Sequence, residues 1–401
     1  MSNMKRSMRR VFWLLALCFF LLLGYLGKLV FVDREEISGN SYNSRLRYVD
    51  ETIKRGDILD REGEVIATST RQEDGTYKRE YPRGRMAAHI TGYSSVGKTG
   101  VEAAENFELM KLHNELFQRV SSVVRKTELQ GNSVALTMDM DIQTTAGNLL
   151  GSAKGAIVVM EPSTGRILAL QAYPDFDPNT VEAQWDTLKE DADSPLVNRA
   201  TQGLYPPGST FKIVTLASAL ENLPDLNDFA FDCTGYYPVG NYSVTDGSAH
   251  GVQSLSDAFA HSCNTTFAAL SQDLGYEMLG QTAEEMGFNE NFMFSDLIVY
   301  NSSYPIDDLS AEDLAWSAIG QGRVLATPLH MALIASTIAN RGVMNEPRLI
   351  AQVTTAQGGN RALLSHAGGR RVISEDVANR LESEMIRVVK SGTGKRAALD
   401  N

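Results

Sequence analysis

The sequence is poor in residues that form disulfides or bind metals. It contains three cysteines, Cys18, Cys233 and Cys263, and six histidines. Three cysteines are too few for a disulfide scaffold, and neither they nor the histidines show the paired spacing of a zinc motif. The sequence therefore predicts no metal and no cofactor. It leaves open whether Cys233 and Cys263 form a disulfide in an oxidising compartment.

Basic charge is also in deficit. Lysine and arginine number 37 against 49 aspartates and glutamates, which gives a formal net charge of −12. Nucleic-acid binding requires a basic face, so the sequence predicts no nucleic-acid partner. The hydrophobic content of 43% and the charged content of 21% are ordinary for folded domains, so disorder is not expected.

The N-terminus carries an apolar run. Residues 11–27 contain no charge, and apolar residues continue after Lys28 as far as position 32. This length meets the roughly 20 residues of a membrane-spanning helix, whereas a cleavable signal has a shorter apolar core. Basic residues at positions 5, 6, 9 and 10 precede the run, so the positive-inside rule predicts a cytoplasmic tail at 1–10, a single-pass anchor at 11–32 and an extracytoplasmic remainder. The alternative is a buried core helix.

Two regions follow the predicted anchor, at 33–150 and 151–401. In the second region, residues 156–160 and 166–172 predict two strands of a hairpin, joined by a turn. Residues 211–220 are apolar on nearly every side and predict a buried helix. Together the elements predict an α+β fold. Further helices are predicted at 265–274, 314–320, 329–340 and 375–389.

The sharpest chemical motif is YPPGSTFK at residues 205–212. Two prolines and a glycine interrupt the chain before the predicted buried helix, so Ser209 falls at its N-terminus and Lys212 lies on the same face one turn later. A serine hydroxyl is a weak nucleophile that needs a base, and burial lowers the pKa of a lysine toward the neutral form. The alternative is a serine N-cap followed by an ordinary lysine. A buried lysine without a role is costly, which favours the catalytic interpretation.

A second motif is HSCNTTF at residues 261–267. It places the hydroxyl of Ser262 and the amide of Asn264 on one turn, where the hydroxyl can relay a proton and the amide can hold a substrate carbonyl. Taken alone, an N-cap cluster that opens the next helix is the simpler interpretation. Cys263 is expected to point away from the substrate and to behave as a small buried apolar residue.

Ser-x-x-Lys followed by Ser-x-Asn is the motif order of penicillin-recognising enzymes. The resemblance to one family, the class B penicillin-binding proteins, extends over nearly the whole chain. Residues 55–67, RGDILDREGEVIA, resemble the block that opens the extracellular part of that family. Other segments that resemble the family, in its order, are 136–143, 155–169, 198–200, 207–212, 319–322 and 326–328.

The resemblance implies a membrane anchor, a small non-catalytic pedestal at 33–150, and a serine β-lactamase-like transpeptidase domain with a five-stranded antiparallel sheet. It implies that Ser209 is the nucleophile, Lys212 its general base, Ser262 a proton shuttle and Asn264 a substrate-binding residue. The implied substrates are peptidoglycan stem peptides ending in D-Ala-D-Ala, and β-lactams would be trapped at the same serine. The implied partner is a glycan polymerase of the shape-elongation-division-sporulation type.

The third motif of the family is Lys-Thr/Ser-Gly on a strand beside the active site. Residues 98–100, KTG, precede the catalytic region, and residues 390–392, KSG, end a predicted amphipathic helix, so neither fits. In the family, the true motif follows a Gly-Thr-Gly turn like that at 392–394 after a short loop, and the chain ends at Asn401. We therefore expect region 151–401 to be incomplete and the 401-residue chain to be nearly inactive.

Two other functions are open at this point. A serine β-lactamase shares the STFK sequence, but the predicted anchor, the pedestal and Asn264 argue against it. A β-lactam sensor or a non-catalytic scaffold is the other alternative. Sensors have several membrane spans and an intracellular signalling domain, whereas this chain has one predicted span and a short tail.

Overall fold

The computed structural model describes residues 2–31, 53–110, 130–224, 226–291, 294, 296–307, 310–356, 358–361 and 368–399. Both helices and strands contribute to the fold, so the predicted α+β class is confirmed. The helices are α1 (Ser2–Phe31), α2 (Ala88–Thr91), α3 (Gly100–Ala104), α4 (Asn106–Met110), α5 (Met140–Leu150), α6 (Trp185–Glu190), α7 (Lys212–Asn222), α8 (Leu255–Ala260), α9 (Asn264–Glu285), α10 (Ala311–Ala318), α11 (Pro328–Ala339) and α12 (Glu375–Ser391).

Among the described residues, the strands are short and fall into five sheets. They are β1 (Ile58–Leu59), β2 (Val65–Arg71), β3 (Tyr77–Glu80), β4 (Ser133–Leu136), β5 (Gly155–Met160), β6 (Ile167–Tyr173), β7 (Ala230–Cys233), β8 (Tyr236–Val239), β9 (Tyr242–Thr245), β10 (Gly251–Ser254), β11 (Val343–Met344), β12 (Ile350–Thr354), β13 (Asn360–Arg361) and β14 (Arg370–Arg371).

The N-terminal helix α1 contains most of the predicted anchor. Its apolar side chains between Phe12 and Tyr25 are largely exposed, with Trp13 at 67%. Within the part of the chain that the structure describes, no helix combines the length and the apolar character needed to cross a membrane. The predicted transmembrane anchor is therefore not confirmed.

A six-stranded sheet joins the two regions that the sequence separates at position 150. Its order is β13-β12-β4-β1-β2-β3, and β4 pairs parallel with β1 and antiparallel with β12. Ile350 and Val353 of β12 lie opposite Leu136 and Val134 of β4. One apolar core accordingly holds residues from both regions. Two stretches of the predicted pedestal, 33–52 and 111–129, lie outside the described residues.

A buried ion network holds the start of this sheet to α3. The Glu102 carboxylate is fully buried and accepts from Arg55 Nε at 2.5 Å and from Arg79 Nε at 2.7 Å. Burial alone would raise the pKa of Glu102, but the two guanidinium groups outweigh it and hold the pKa below its ordinary value. Arg55 also donates to Asn106 Oδ1 at 2.7 Å, so one buried charge cluster ties the block at 55–67 to α3 and α4.

The predicted hairpin is confirmed as β5 and β6, which pair antiparallel with Val158 opposite Leu170. Among the described residues β5 and β6 pair only with each other, so the five-stranded sheet implied by the resemblance is not seen there. The predicted buried helix is also confirmed as α7, whose side chains from Val214 to Ala219 are buried. Helices α7, α9, α10, α11 and α12 surround the larger apolar core.

Candidate active site

Ser209 lies in a 3₁₀ turn that leads directly into α7. The turn spans Gly208–Phe211, and α7 begins at Lys212, so the predicted position of Ser209 at a helix N-terminus is confirmed. Ser209 is exposed, and its hydroxyl makes no hydrogen bond to any other described residue. Phe211 points the other way and is fully buried against Phe288 and Tyr304. The turn therefore presents the Ser209 hydroxyl to solvent, while the Phe211 side chain anchors the turn in the core.

Two glycines allow the segment 319–322 to approach closely the turn that carries Ser209. Gly208 has φ +58° and donates its N–H to the carbonyl of Gly320 at 2.9 Å. Gly320 has φ +70°, and a Cβ placed on it would lie 2.2 Å from the Gly208 oxygen and 2.7 Å from Phe211 Cβ. Only glycine fits at position 320, and this allows the segment 319–322 to pack directly against the turn that carries Ser209.

Lys212 is a buried lysine at the centre of the site. Its side chain is 1% exposed, and burial lowers the pKa of its ammonium from 10.5 to about 8. The Lys212 Nζ donates to the Ser262 carbonyl at 2.6 Å and to Asn264 Oδ1 at 2.8 Å, and it lies 3.1 Å from Ser262 Oγ. The structure thus brings three of the four predicted site residues into direct contact.

The Ser-x-Asn segment is held in an unusual backbone conformation. Ser262 has φ +57°, in the left-handed region that non-glycine residues rarely adopt. It sits between α8, which ends at Ala260, and Cys263, the N-cap of α9. Strain of this kind persists only where surrounding contacts impose it, and it is common at functional sites. Here it turns the Ser262 carbonyl and hydroxyl toward Lys212.

Asp246 is a site residue that the sequence analysis missed. Its carboxylate accepts from the backbone N–H of Asn264 at 2.6 Å and of Thr265 at 3.0 Å. The Asn264 amide nitrogen donates in turn to the carbonyl of Thr245 at 3.1 Å. The loop after β9 therefore fixes the orientation of Asn264. In the sequence, Thr-Asp-Gly at 245–247 indicates only a turn, and nothing local links it to residue 264.

The two sequences that resemble the third motif lie at the ends of helices. Residues 390–392 end α12, where Gly392 is the C-cap, so the prediction that they close a helix is confirmed. Residues 98–100 lead into α3, with Thr99 as its N-cap. After α12 the chain turns toward the site, and Thr393 donates its N–H to the carbonyl of Ala260 at 3.1 Å.

Comparison with known proteins identifies this arrangement. Residues 155–401, more than half of the chain, match the model described as the penicillin binding protein transpeptidase domain. The chain belongs to the class B penicillin-binding proteins. Residues 55–134 match a second model, the penicillin binding protein A dimerisation domain. The predicted family is thus confirmed over both parts of the chain.

Similar proteins share most of the length of this penicillin-binding protein. The peptidoglycan D,D-transpeptidase PbpA of Mycobacterium tuberculosis is 33% identical over 98% of this chain and 84% of its own. A solved D,D-transpeptidase domain from Eggerthella lenta is 36% identical with a TM-score of 0.78, over 87% of this chain and 85% of that one. The penicillin G acyl-enzyme complex of penicillin-binding protein A from M. tuberculosis is 32% identical with a TM-score of 0.78, over 84% and 82%.

Proposed function

We propose that this protein is a serine D,D-transpeptidase that cross-links peptidoglycan stem peptides ending in D-Ala-D-Ala, and that β-lactams acylate the same serine. The observation that carries the proposal is the convergence of Lys212 Nζ on Ser262 and Asn264, one turn after the exposed Ser209. A relative with 33% identity is named a peptidoglycan D,D-transpeptidase, and a similar solved structure is a penicillin G acyl-enzyme.

The proposed first step is acylation of Ser209. A neutral amine has two N–H donors and one lone pair. The donors of Lys212 are used by the Ser262 carbonyl and by Asn264 Oδ1, which leaves the lone pair to take the hydroxyl proton of Ser209. The alkoxide attacks the carbonyl of the penultimate D-alanine, and the backbone N–H of Ser209 stabilises the resulting oxyanion.

The Ser-x-Asn segment is proposed to transfer the proton to the leaving group and to bind the peptide. The proton taken by Lys212 passes to the nearby Ser262 hydroxyl, 3.1 Å away, and from there to the leaving amine of the terminal D-alanine. The amide of Asn264 binds the peptide. An amine from a neighbouring stem then attacks the ester, its proton returns by the same route, and Ser209 is released.

The test compares two serines that share the Ser-x-x-Lys pattern. In the full-length gene product, Ser209→Ala is expected to abolish both fluorescent-penicillin labelling and stem-peptide cross-linking. Ser95→Ala, in the SVGK sequence at 95–98, is the matched control and should retain both. Labelling that survives in Ser209→Ala would refute the assignment. The low activity expected of the 401-residue chain stays a prediction, measured by the same labelling.

We propose that α1 anchors the chain in the cell membrane with residues 1–10 in the cytoplasm. The exposed apolar side chains between Phe12 and Tyr25, and the preceding basic residues, support this. Treatment of membrane vesicles with protease from the outside should remove region 151–401 while sparing an N-terminal tag. A tag that is digested, or a chain extracted by alkaline carbonate, would contradict the anchor.

We also propose that residues 33–150 form a non-catalytic pedestal that, with the anchor, binds a glycan polymerase. The proposal rests on the resemblance, because class B proteins do not polymerise glycan themselves. Co-purification of the polymerase from detergent should depend on residues 11 to about 150. Retention of the polymerase by region 151–401 alone would contradict it.

A further inference from the structure

The turn that follows α12 contacts the end of α8, just before the Ser-x-Asn segment. The three carbonyls that precede Ala260 in α8 accept from the backbone N–H groups of residues 261–263, at 2.8 to 3.0 Å. The Ala260 carbonyl instead accepts from the N–H of Thr393, at 3.1 Å. Carbonyls at the C-terminus of a helix need partners from outside the helix. The turn after α12 therefore supplies a hydrogen bond to α8 two residues before Ser262.

Gly392, the C-cap of α12, packs against the same carbonyl. A Cβ placed on Gly392 would lie 2.2 Å from the Ala260 oxygen and 2.9 Å from the Ala260 carbonyl carbon. Gly392 has a negative φ of −97°, so the position requires glycine for space and not for its backbone conformation. Any side chain at position 392 would have to displace the end of α8.

The turn is itself held in place by α12. Gly392 and Gly394 both donate to the Val388 carbonyl, at 3.0 and 3.1 Å. The buried carboxylate of Glu384 accepts from the Ser256 hydroxyl at 2.7 Å and so connects α12 to α8 a second time. Because both ends of this contact are fixed, a clash at Gly392 is expected to move Ala260 and the residues that follow it.

Ser262 is the catalytic side chain that such a movement reaches. Its φ of +57° is strained, and strain persists only where neighbouring contacts impose it. Its carbonyl accepts from Lys212 Nζ at 2.6 Å, and its hydroxyl lies 3.1 Å from the same nitrogen. A shift of Ala260 would therefore separate the Ser262 hydroxyl from Lys212.

We propose that the backbone of Gly392 and Thr393 is a positioning element that holds Ser262 in its strained conformation beside Lys212. The inference rests on the proposed transpeptidase function, in which the Ser262 hydroxyl takes a proton from the Lys212 ammonium and gives one to the leaving nitrogen. Gly392 and Thr393 act through the Ala260 carbonyl and not by contact with the substrate.

The test compares two acyl donors that differ in the group that leaves. When penicillin acylates Ser209, the β-lactam nitrogen keeps the electron pair of the broken C–N bond and needs a proton. When an N-acyl-D-alanyl thiolester acylates the same serine, the thiolate keeps the electron pair of the C–S bond and needs none. A displaced Ser262 should therefore slow penicillin more than the thiolester, whereas a general loss of structure slows both equally.

In the full-length gene product, Gly392→Ala should slow acylation by penicillin about 100-fold, while the thiolester keeps most of its rate. Gly394→Ala is the matched control, because its φ of −89° is also negative and its Cβ would meet no atom closer than Val388 Cγ1, at 3.1 Å. It should retain both rates. Thr393→Pro removes the N–H that Ala260 accepts and should give the same selective loss as Gly392→Ala.

A double-mutant cycle with Ser262→Ala shows whether the effect passes through the Ser262 hydroxyl. Ser262→Ala alone should give the selective loss, and adding Gly392→Ala should slow penicillin only slightly further. A selective loss in neither Gly392→Ala nor Thr393→Pro, or effects of Gly392→Ala and Ser262→Ala that multiply, would overturn the proposal. Failure of the proposed function itself would look different, since Ser209→Ala would then remain acylated by both donors.

Discussion

The pH dependence of acylation follows from the burial of Lys212. Burial lowers the pKa of its ammonium from 10.5 to about 8. A shift of this size corresponds to about 3 kcal/mol of penalty on the charged form. At neutral pH it raises the neutral fraction from roughly 0.03% to roughly 10%, about 300-fold more base than an exposed lysine supplies.

Because the neutral form is the base, the acylation rate should rise with pH. We expect a rise of about tenfold per pH unit below the folded pKa and a plateau above pH of about 8. The measurement is the second-order rate constant for a fluorescent penicillin, between roughly pH 6 and pH 9.5, on the full-length gene product. Tryptophan fluorescence at each pH checks that the protein stays folded.

Two lysine variants complete this experiment. Lys212→Arg keeps a charge that does not titrate in the range, so labelling should be lost at every pH. Lys390→Arg changes the exposed lysine of the KSG sequence at the end of α12 and should leave the profile unchanged. A flat profile for the parent protein, or a rate that still rises about tenfold per pH unit at the upper end of the range, would refute the role of Lys212 as a neutral base.

Two other substitutions test the contacts that support the site. Glu102→Gln leaves two buried guanidinium groups without their counter-charge and should lower the free energy of unfolding by about 3 kcal/mol or more, whereas the exposed Glu73→Gln should leave the melting temperature unchanged. Because the pKa of Glu102 is lowered in the folded state, the stability that its ionised carboxylate contributes is present above its ordinary pKa and is lost as the pH falls through the folded pKa. An unchanged melting temperature for Glu102→Gln would contradict this contribution. Gly320→Ala forces a Cβ against the Gly208 oxygen and should slow acylation by about 100-fold through displacement of Ser209. Gly322 has a similar φ of +67°, but a Cβ added there would meet no atom closer than 3.5 Å. Equal effects of Gly320→Ala and Gly322→Ala would therefore show that backbone strain, not the clash, is responsible.

Local features of the chain were predictable from the sequence. The β5–β6 hairpin and the buried α7 follow from short apolar runs bounded by turns and by the Pro-Pro-Gly break. The same break places Ser209 at the start of the helical segment, one turn before Lys212. The contact of Lys212 with Ser262 and Asn264 was predictable only through the family resemblance, because 50 residues separate the two motifs.

Long-range features were not predictable from local patterns. The pairing of β12 with β4 joins residues that are 214 to 221 positions apart, and nothing in residues 350–354 indicates a partner in the pedestal. Asp246 lies in a turn whose sequence gives no sign that it caps α9.

The most direct test of the central claim is to locate the acyl group. The full-length gene product is treated with penicillin, digested, and analysed by peptide mass spectrometry over time. The proposed mechanism predicts a single, long-lived adduct on Ser209, in the peptide that contains residues 205–212. An adduct on Ser262 or Ser95, or rapid release of hydrolysed penicillin with no adduct, would contradict it.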